Sequence, residues 1–147
     1  MSTRSLTLTT PDGLSLEAEL ATPERAPRAA AVLCHPHPQY GGTMRSIVIG
    51  ALFDALPAAG ITCLRFNFRG VERSTGAHDD GHGELLDVRA ALATLAEGRA
   101  GDEPVVLAGW SFGATSSCDG PIFPWSNRSA AWARARPHST LPRETRA

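Results

Sequence analysis

The sequence predicts an α/β protein with a mostly parallel sheet, an antiparallel hairpin at its amino terminus and helices on both faces of the sheet. Three observations carry this prediction: apolar residues that alternate about an early turn, short continuously apolar runs farther along, and helical stripes between those runs. Strands and helices in this order form open sheets with right-handed crossovers. Functional residues are then expected beyond the carboxyl ends of the strands.

An antiparallel hairpin is predicted at the start of the sequence. Apolar side chains alternate with polar ones on both sides of the turn Pro11-Asp12-Gly13, at positions 6 and 8 and again at 14, 16, 18 and 20. Period-two alternation about a turn predicts two antiparallel strands with one solvated face. Residues 29–34 are continuously apolar instead, which predicts a parallel strand covered on both sides.

The first helix is predicted after the loop that contains Gly41 and Gly42. Thr43 is the expected N-cap, and Pro57 and Gly60 are expected to end the helix. Its apolar residues recur at helical spacing, and they are Met44, Ile47, Val48, Ala51, Leu52, Ala55 and Leu56.

Two further strands are predicted on either side of a second helix. Residues 61–66 form one strand and residues 104–108 the other, with a polar loop over 67–80 after the first. The apolar stripe of the helix between them is Leu85, Val88, Leu92, Leu95 and Ala96. Periodicity is lost at about Ser116. We therefore divide the chain into a partial α/β domain over residues 1–116 and an irregular tail, disordered or frameshifted, over residues 117–147.

The composition argues against several classes of function. The chain has 147 residues, with 14 basic against 15 acidic side chains, so no overall field would attract nucleic acid or an anionic membrane. It contains no apolar segment of bilayer-spanning length, and its first ten residues lack the apolar region of a secretion signal. Three widely spaced cysteines suggest neither disulfides nor a thiolate metal site. We expect a soluble cytoplasmic protein that acts on a small molecule, without nucleic-acid or membrane partners.

The strongest chemical motif is Gly109-Trp110-Ser111-Phe112-Gly113, which matches G-x-S-x-G directly after an apolar strand. This is the position of a nucleophile elbow, a sharp turn that raises a serine hydroxyl above the sheet. Glycines must flank such a turn because the chain packs closely there. We expect Ser111 to be the nucleophile and the Phe112 N–H to be an oxyanion donor. The alternative is a glycine-rich turn without chemistry.

A second candidate segment, His35 to Gly42, leaves the first buried strand at the same edge of the sheet as the motif. Its small residues would let backbone approach a substrate, so Tyr40 or a neighbour such as Gly41 or Gly42 is expected to donate a second N–H to an oxyanion. His35 and His37 are candidate active-site residues. The alternative is a proline-stiffened loop whose histidines are structural.

Three blocks of sequence together resemble a known family, the α/β hydrolases, in the branch of small dienelactone-hydrolase-like and esterase-like proteins. They are LCHPHPQYGGTM, LRFNFRGVERSTGAHDDGHGELLDVRAAL and LAGWSFGA, and the resemblance covers residues 4–115. It implies the amino-terminal part of an α/β-hydrolase fold, with Ser111 as nucleophile, Phe112 and residues 35–42 as the oxyanion region, and a structural active-site loop from Arg69 to Gly76 that includes Gly70. Glu72 departs from the glycine that relatives favour.

The resemblance also implies a reaction, the hydrolysis of a carboxylic ester, thioester or lactone without a cofactor. In this family the catalytic acid and histidine follow the serine, each after a further strand. Only Asp119, His138 and Glu144 are available there, and no predicted strand separates them. The triad acid and base are therefore not identified. We expect a frameshift after about Thr115 and a truncated, weakly active or inactive product.

Two alternatives stay open at this point. His35 and His37, together with His78, Asp80 and His82, have the residue types of a metal-dependent hydrolase. In the second alternative the chain is a non-catalytic fragment. The strand before the serine would then have an unpaired edge, which promotes aggregation.

Overall fold

The computed structural model describes residues 1–98 and 101–116, and the elements below lie within them. Five strands form one sheet in the order β1-β2-β4-β3-β5, with three helices packed against it. The strands are β1 Ser2–Thr9, β2 Ser15–Thr22, β3 Ala29–Cys34, β4 Ile61–Phe66 and β5 Val105–Gly109. The helices are α1 Ile47–Ala55, α2 His82–Glu97 and α3 Phe112–Ser116.

The predicted hairpin is confirmed. β1 and β2 pair antiparallel, with Leu8 opposite Leu16, and β2 also pairs antiparallel with β4. The turn is closed by a hydrogen bond from the Gly13 N–H to the Thr10 carbonyl at 2.9 Å, and Gly13 has a φ of +85° that favours glycine. The hairpin thus extends the sheet along the side of β4.

The parallel part of the sheet centres on β3, which pairs with β4 on one side and β5 on the other. The crossover through α1 and the return crossover through α2 run in opposite directions, so right-handed connections place the two helices on opposite faces. Alternate residues of β3 accordingly pack in different clusters. Ala31 and Leu33 lie with the α1 residues Ile49 and Phe53, and Val32 lies with residues of α2. Helices on both faces are therefore confirmed.

The start of the first helix differs from the prediction. α1 begins at Ile47 after Ser46, and Thr43 is not its N-cap. The Thr43 hydroxyl instead accepts a hydrogen bond from the Arg45 N–H at 3.1 Å. The reason is tertiary, because the Met44 N–H donates to Oδ1 of Asn67 at 2.8 Å and holds this segment against the loop that follows β4.

The buried face of α1 also differs from the predicted stripe. Ile49 and Phe53 are buried, with Leu52 and Leu56 packed beside them, whereas Ile47 is 90% exposed. Residues 49, 52, 53 and 56 have the spacing of one helical face. The predicted stripe included Leu52 and Leu56, but most of its other positions lie away from the sheet.

The second helix agrees with its prediction and is fixed at its start by a buried carboxylate. Val88, Leu92 and Leu95 are buried against the sheet. Glu84, in the first turn, is fully buried and accepts hydrogen bonds from the N–H groups of Asp79 at 3.0 Å and Gly81 at 2.9 Å. The end of the loop over residues 67–81 is thereby held to α2.

β5 is the last strand of the sheet in the described part of the chain, and it pairs there with β3. Val106 is 40% exposed on this strand. Such an edge presents backbone groups that can pair with another strand. Among residues 1–98 and 101–116, no helix combines the length and the apolar character needed to cross a bilayer.

Candidate active site

Ser111 lies between β5 and α3 in a conformation that few non-glycine residues adopt. Its φ is +54°, in the left-handed region, and the residue is exposed. Such strain persists only where the surrounding structure imposes it, and it concentrates at functional sites. The serine therefore stands at a sharp turn at the carboxyl edge of the parallel strands.

The two glycines of the motif allow this turn by close backbone packing. A Cβ on Gly109 would overlap the backbone of Gly113, and a Cβ on Gly113 would overlap the carbonyl oxygen of Cys34. The Trp110 N–H donates to that same Cys34 carbonyl at 3.2 Å, and the Ala114 N–H donates to the Ser111 carbonyl at 2.9 Å. The turn is thus seated against the end of β3, as the motif predicts.

The loop over residues 35–42 forms a single 3₁₀ turn at Pro38–Tyr40. The backbone N–H groups of residues 39–42 bond within the loop. The Tyr40 and Gly42 N–H groups donate to the His37 carbonyl, each at 3.1 Å, and the Gly41 N–H donates to the Pro38 carbonyl at 3.2 Å. These three groups are therefore already engaged. A bond from Tyr40, Gly41 or Gly42 to an oxyanion would compete with these loop bonds, and the expectation that one of them is a donor stays a prediction.

His35 is a structural residue. It is fully buried, and its Nε2 accepts a hydrogen bond from the Phe68 N–H at 3.1 Å. Nδ1 must then carry the proton, which it donates to the Pro36 carbonyl at 2.6 Å. Burial lowers the pKa of His35 to about 4. The ring is neutral near pH 7 and joins the ends of β3 and β4.

His37 is placed differently, beside the serine turn. Its ring centroid lies 4.7 Å from that of Phe112, 4.9 Å from that of Tyr40 and 5.0 Å from that of His78. The backbone N–H of Gln39 donates to its Nδ1 at 3.2 Å. The loop after β3 and the elbow are thus in direct contact through side-chain rings.

Arg69 and Gly70 support the site from beneath. The buried guanidinium of Arg69 contacts Asp87 through Nη2 at 2.8 Å and Asp12 through Nη1 at 3.0 Å. Burial lowers the pKa of Arg69, but hydrogen bonds to Asp87 and Asp12 outweigh it and raise the pKa, so the residue stays charged. Gly70, at a φ of +74°, donates its N–H to the Thr75 carbonyl at 3.1 Å. Both residues connect segments and have no contact with Ser111 among those described.

Glu72, where the family resemblance leads us to expect glycine, has a φ of +47°. The glutamate thus replaces the expected glycine at a position in the left-handed region, where a residue with a side chain is strained. Its carboxylate compensates by accepting hydrogen bonds from Nη1 of Arg45 at 2.9 Å and Nδ2 of Asn67 at 2.8 Å.

The residues proposed for a metal site are used in other ways. No group of three or more His, Cys, Asp or Glu side chains in the described segments has the arrangement of a metal site. Both nitrogens of His35 contact backbone, His82 is exposed, and His78 lies between Glu84 and Asp80. The described residues therefore give no support to a metal-dependent hydrolase.

Two features of the site were not predicted, the position of His78 beside Phe112 and the burial of Glu84. The pattern of a carboxylate three residues after the residue that caps α2 was a signal for Glu84, whereas no local signal pointed to the contact of His78 with the elbow. Asp119, His138 and Glu144, and the tail over residues 117–147, lie outside the described residues.

Comparisons with known proteins agree on one family. The model of a family described as the alpha/beta hydrolase family matches residues 31–146. A Xanthomonas campestris protein, XC6422, described as an α/β serine hydrolase without a lid, is 38% identical with a TM-score of 0.72. An α/β serine hydrolase homologue from Coxiella burnetii is 36% identical with a TM-score of 0.71. An uncharacterized protein of Rickettsia prowazekii is 42% identical over 94 residues.

The matches cover much of this chain but only part of each relative. The two structural alignments include 80% of this chain, against 54% of the Xanthomonas protein and 56% of the Coxiella protein. The Rickettsia match includes 64% of this chain and 39% of that protein. This chain thus spans about half the length of the solved structures it matches. The family-model match over residues 31–146 includes β5, Ser111 and α3.

Proposed function

The chain belongs to the alpha/beta hydrolase family, and from that premise we propose that Ser111 is the nucleophile of a serine hydrolase that cleaves ester-like bonds. The observation that carries the proposal is the backbone of Ser111, held at a φ of +54° between two glycines that have no room for a Cβ. A strained, exposed serine at this point of a parallel sheet is the arrangement that nucleophilic acyl transfer requires.

In the proposed reaction the Ser111 hydroxyl attacks the carbonyl carbon of a carboxylic ester, thioester or lactone. The tetrahedral intermediate places its negative charge on the carbonyl oxygen, where backbone N–H groups stabilise it. Collapse breaks the bond between the carbonyl carbon and the alcohol or thiol group, which takes up the proton given up by Ser111; it departs from an open-chain ester or thioester and stays attached to the acyl chain of a lactone. Water then hydrolyses the acyl-enzyme to the carboxylic acid and restores the Ser111 hydroxyl. The Phe112 N–H, next to the nucleophile, is the first oxyanion donor that the family resemblance implies.

We propose the His37 N–H as the second donor. Residues 36–42 are all described, and in this segment Pro36 and Pro38 have no N–H. The N–H groups from Gln39 to Gly42 all bond within the loop, to Nδ1 or the carbonyl of His37 or to the carbonyl of Pro38. The remaining N–H of the segment belongs to His37, whose ring already packs on Phe112. Two donors from adjacent segments are the arrangement of an oxyanion hole.

The proposed site has an open rim. Ser111 is exposed, and Tyr40 and Trp110 beside it are 87% and 51% exposed. The Xanthomonas relative is described as lacking a lid, and we propose the same of this chain. Substrates would then bind at a shallow surface, which favours small esters over long-chain lipids.

A base to deprotonate Ser111 is needed for full activity. The resemblance puts the acid and histidine after the serine, at positions outside the described residues. Loss of a triad base leaves roughly 10³–10⁴-fold acceleration over water from the oxyanion hole and substrate binding. We therefore propose that Ser111 reacts slowly in the absence of such a base and faster in its presence.

The test is covalent labelling with a fluorophosphonate, which reacts with an activated serine. Wild type, Ser111→Ala and the matched control Ser5→Ala, an exposed hairpin serine, are treated and measured by intact mass. We expect one adduct on wild type and on Ser5→Ala and none on Ser111→Ala. Equal labelling of Ser111→Ala would refute the assignment, and a folded but unlabelled wild type would favour the non-catalytic fragment.

A further inference from the structure

Three rings from three separate segments meet beside Ser111. His37 comes from the loop after β3, His78 from the loop after β4, and Phe112 from the start of α3. The ring centroids of His37 and Phe112 are 4.7 Å apart, those of His37 and His78 5.0 Å, and those of His78 and Phe112 5.4 Å. Because each ring contacts the other two, displacing one removes support from both.

His78 is held on its far side by a carboxylate inside the protein. Its Nδ1 lies 2.7 Å from Oε1 of Glu84, which is fully buried. The contact lacks hydrogen-bond geometry and is therefore electrostatic. On the solvent side, Nε2 of His78 lies 3.4 Å from Oδ1 of the exposed Asp80. A carboxylate oxygen therefore lies close to each ring nitrogen, and the ring is held between the two acidic side chains.

Glu84 is itself fixed by the backbone around it. Its two carboxylate oxygens accept hydrogen bonds from the N–H groups of Asp79 and Gly81. Asp80 and Gly81 have φ angles of +48° and +95°, so the chain curls around the carboxylate. A left-handed conformation is strained for a non-glycine residue, and it occurs here at Asp80, the residue that also contacts His78.

We infer that His78 is a positioning residue for the oxyanion region: Glu84 holds its imidazole, and the imidazole holds His37 against Phe112. The inference rests on the proposed function, in which the backbones of His37 and Phe112 supply the two N–H donors. A small displacement of one donor weakens stabilisation of the transition state more than binding of the ground state. His78 therefore acts on the rate of the chemical step and not on substrate affinity.

The test compares His78→Ala with His82→Ala, which removes an exposed histidine from the same segment. The fluorophosphonate reaction of Ser111 is followed over a range of probe concentrations to separate the maximal rate constant from the half-saturating concentration. We expect His78→Ala to lower the maximal rate constant at least about tenfold with the half-saturating concentration unchanged, and His82→Ala to change neither. The inference would be overturned if both variants changed the maximal rate constant equally, or if His78→Ala changed only the half-saturating probe concentration.

A third variant, His78→Phe, separates ring packing from the attraction of Glu84. It keeps an aromatic ring beside Phe112 but has no nitrogen to face the buried carboxylate. We expect it to react as slowly as His78→Ala. Reaction at the wild-type rate would overturn the role of Glu84.

Amide hydrogen exchange makes the inference testable even if the chain does not react with the probe. The N–H groups of Tyr40, Gly41 and Gly42 are bonded within the loop that His78 supports, so their exchange should quicken in His78→Ala and stay unchanged in His82→Ala. Unchanged exchange in both variants would overturn the inference. An unreactive wild type with faster exchange in His78→Ala would refute the proposed function alone and leave His78 as the support of this loop.

Discussion

A methyl group added at Gly113 tests the close contact on which the whole site depends. A Cβ there would overlap the carbonyl oxygens of Cys34 and His35. Non-bonded heavy atoms prefer separations of about 3.5–4.0 Å, so the helix start must move away from β3 by roughly 1 Å. Gly113 is not among the positive-φ glycines, so its substitution adds no left-handed strain, and the contact is what opposes it. Overpacking of this kind costs about 1–3 kcal/mol, and rigid backbone atoms favour the upper end.

The matched control is Gly50→Ala in α1, where a Cβ would have its nearest neighbour, the Arg45 carbonyl oxygen, at 3.8 Å. Alanine should stabilise that helix by roughly 0.5–1 kcal/mol because glycine loses more backbone entropy on folding. Urea unfolding followed by tryptophan fluorescence gives both values, and probe labelling should fall only in Gly113→Ala. Equal stability of Gly113→Ala and wild type would refute the reasoning, because the turn would then not be pressed against β3.

Three further perturbations test the supports of the site and the edge of the sheet. Arg69→Met leaves the buried carboxylate of Asp87 without its partner and should cost about 3–5 kcal/mol in urea unfolding at pH 7; a loss below 1 kcal/mol would contradict the buried pair. Burial lowers the pKa of His35 from 6.5 to about 4. Between pH 6.5 and pH 4 the unfolded chain therefore carries a proton on His35 that the folded chain does not. Stability should therefore fall by about 3 kcal/mol as pH drops from 6.5 to 4, and His35→Gln should remove this contribution when unfolding is measured at both pH values. Val106→Lys places a charge on the exposed face of β5 and should raise the monodisperse fraction of the protein in light scattering. An unchanged fraction would show that this edge plays no part in association.

The strands were predictable from sequence because their burial leaves a local trace. Residues 29–34 and 61–66 coincide with β3 and β4, since strands covered by helices on both faces read as short apolar runs. The start of α1 was not predictable in this way. Met44 has the spacing of a helical residue, yet its backbone is bonded to Asn67, a residue 23 positions away that no local pattern reports.

The candidate site also has features that the local sequence predicts and features that depend on distant contacts. The turn at Ser111 follows from five consecutive residues whose glycines are demanded by local packing, so its position could be predicted from the motif. The choice of oxyanion donor could not, because it depends on which N–H groups the 3₁₀ turn at Pro38–Tyr40 uses. His78 was interpreted only as a metal ligand, since its contact with His37 joins positions 41 residues apart.

The order of the strands has a consequence for how the serine acquires its shape during synthesis. The described partner of β5 is β3, which leaves the ribosome some 70 residues earlier, and β1, β2 and β4 also precede β5 along the chain. Chains that emerge amino terminus first can fold their early segments first. The edge of β3 is therefore synthesised before the serine segment, and the turn at Ser111, whose neighbour Trp110 donates its N–H to the Cys34 carbonyl, needs β5 docked on that edge.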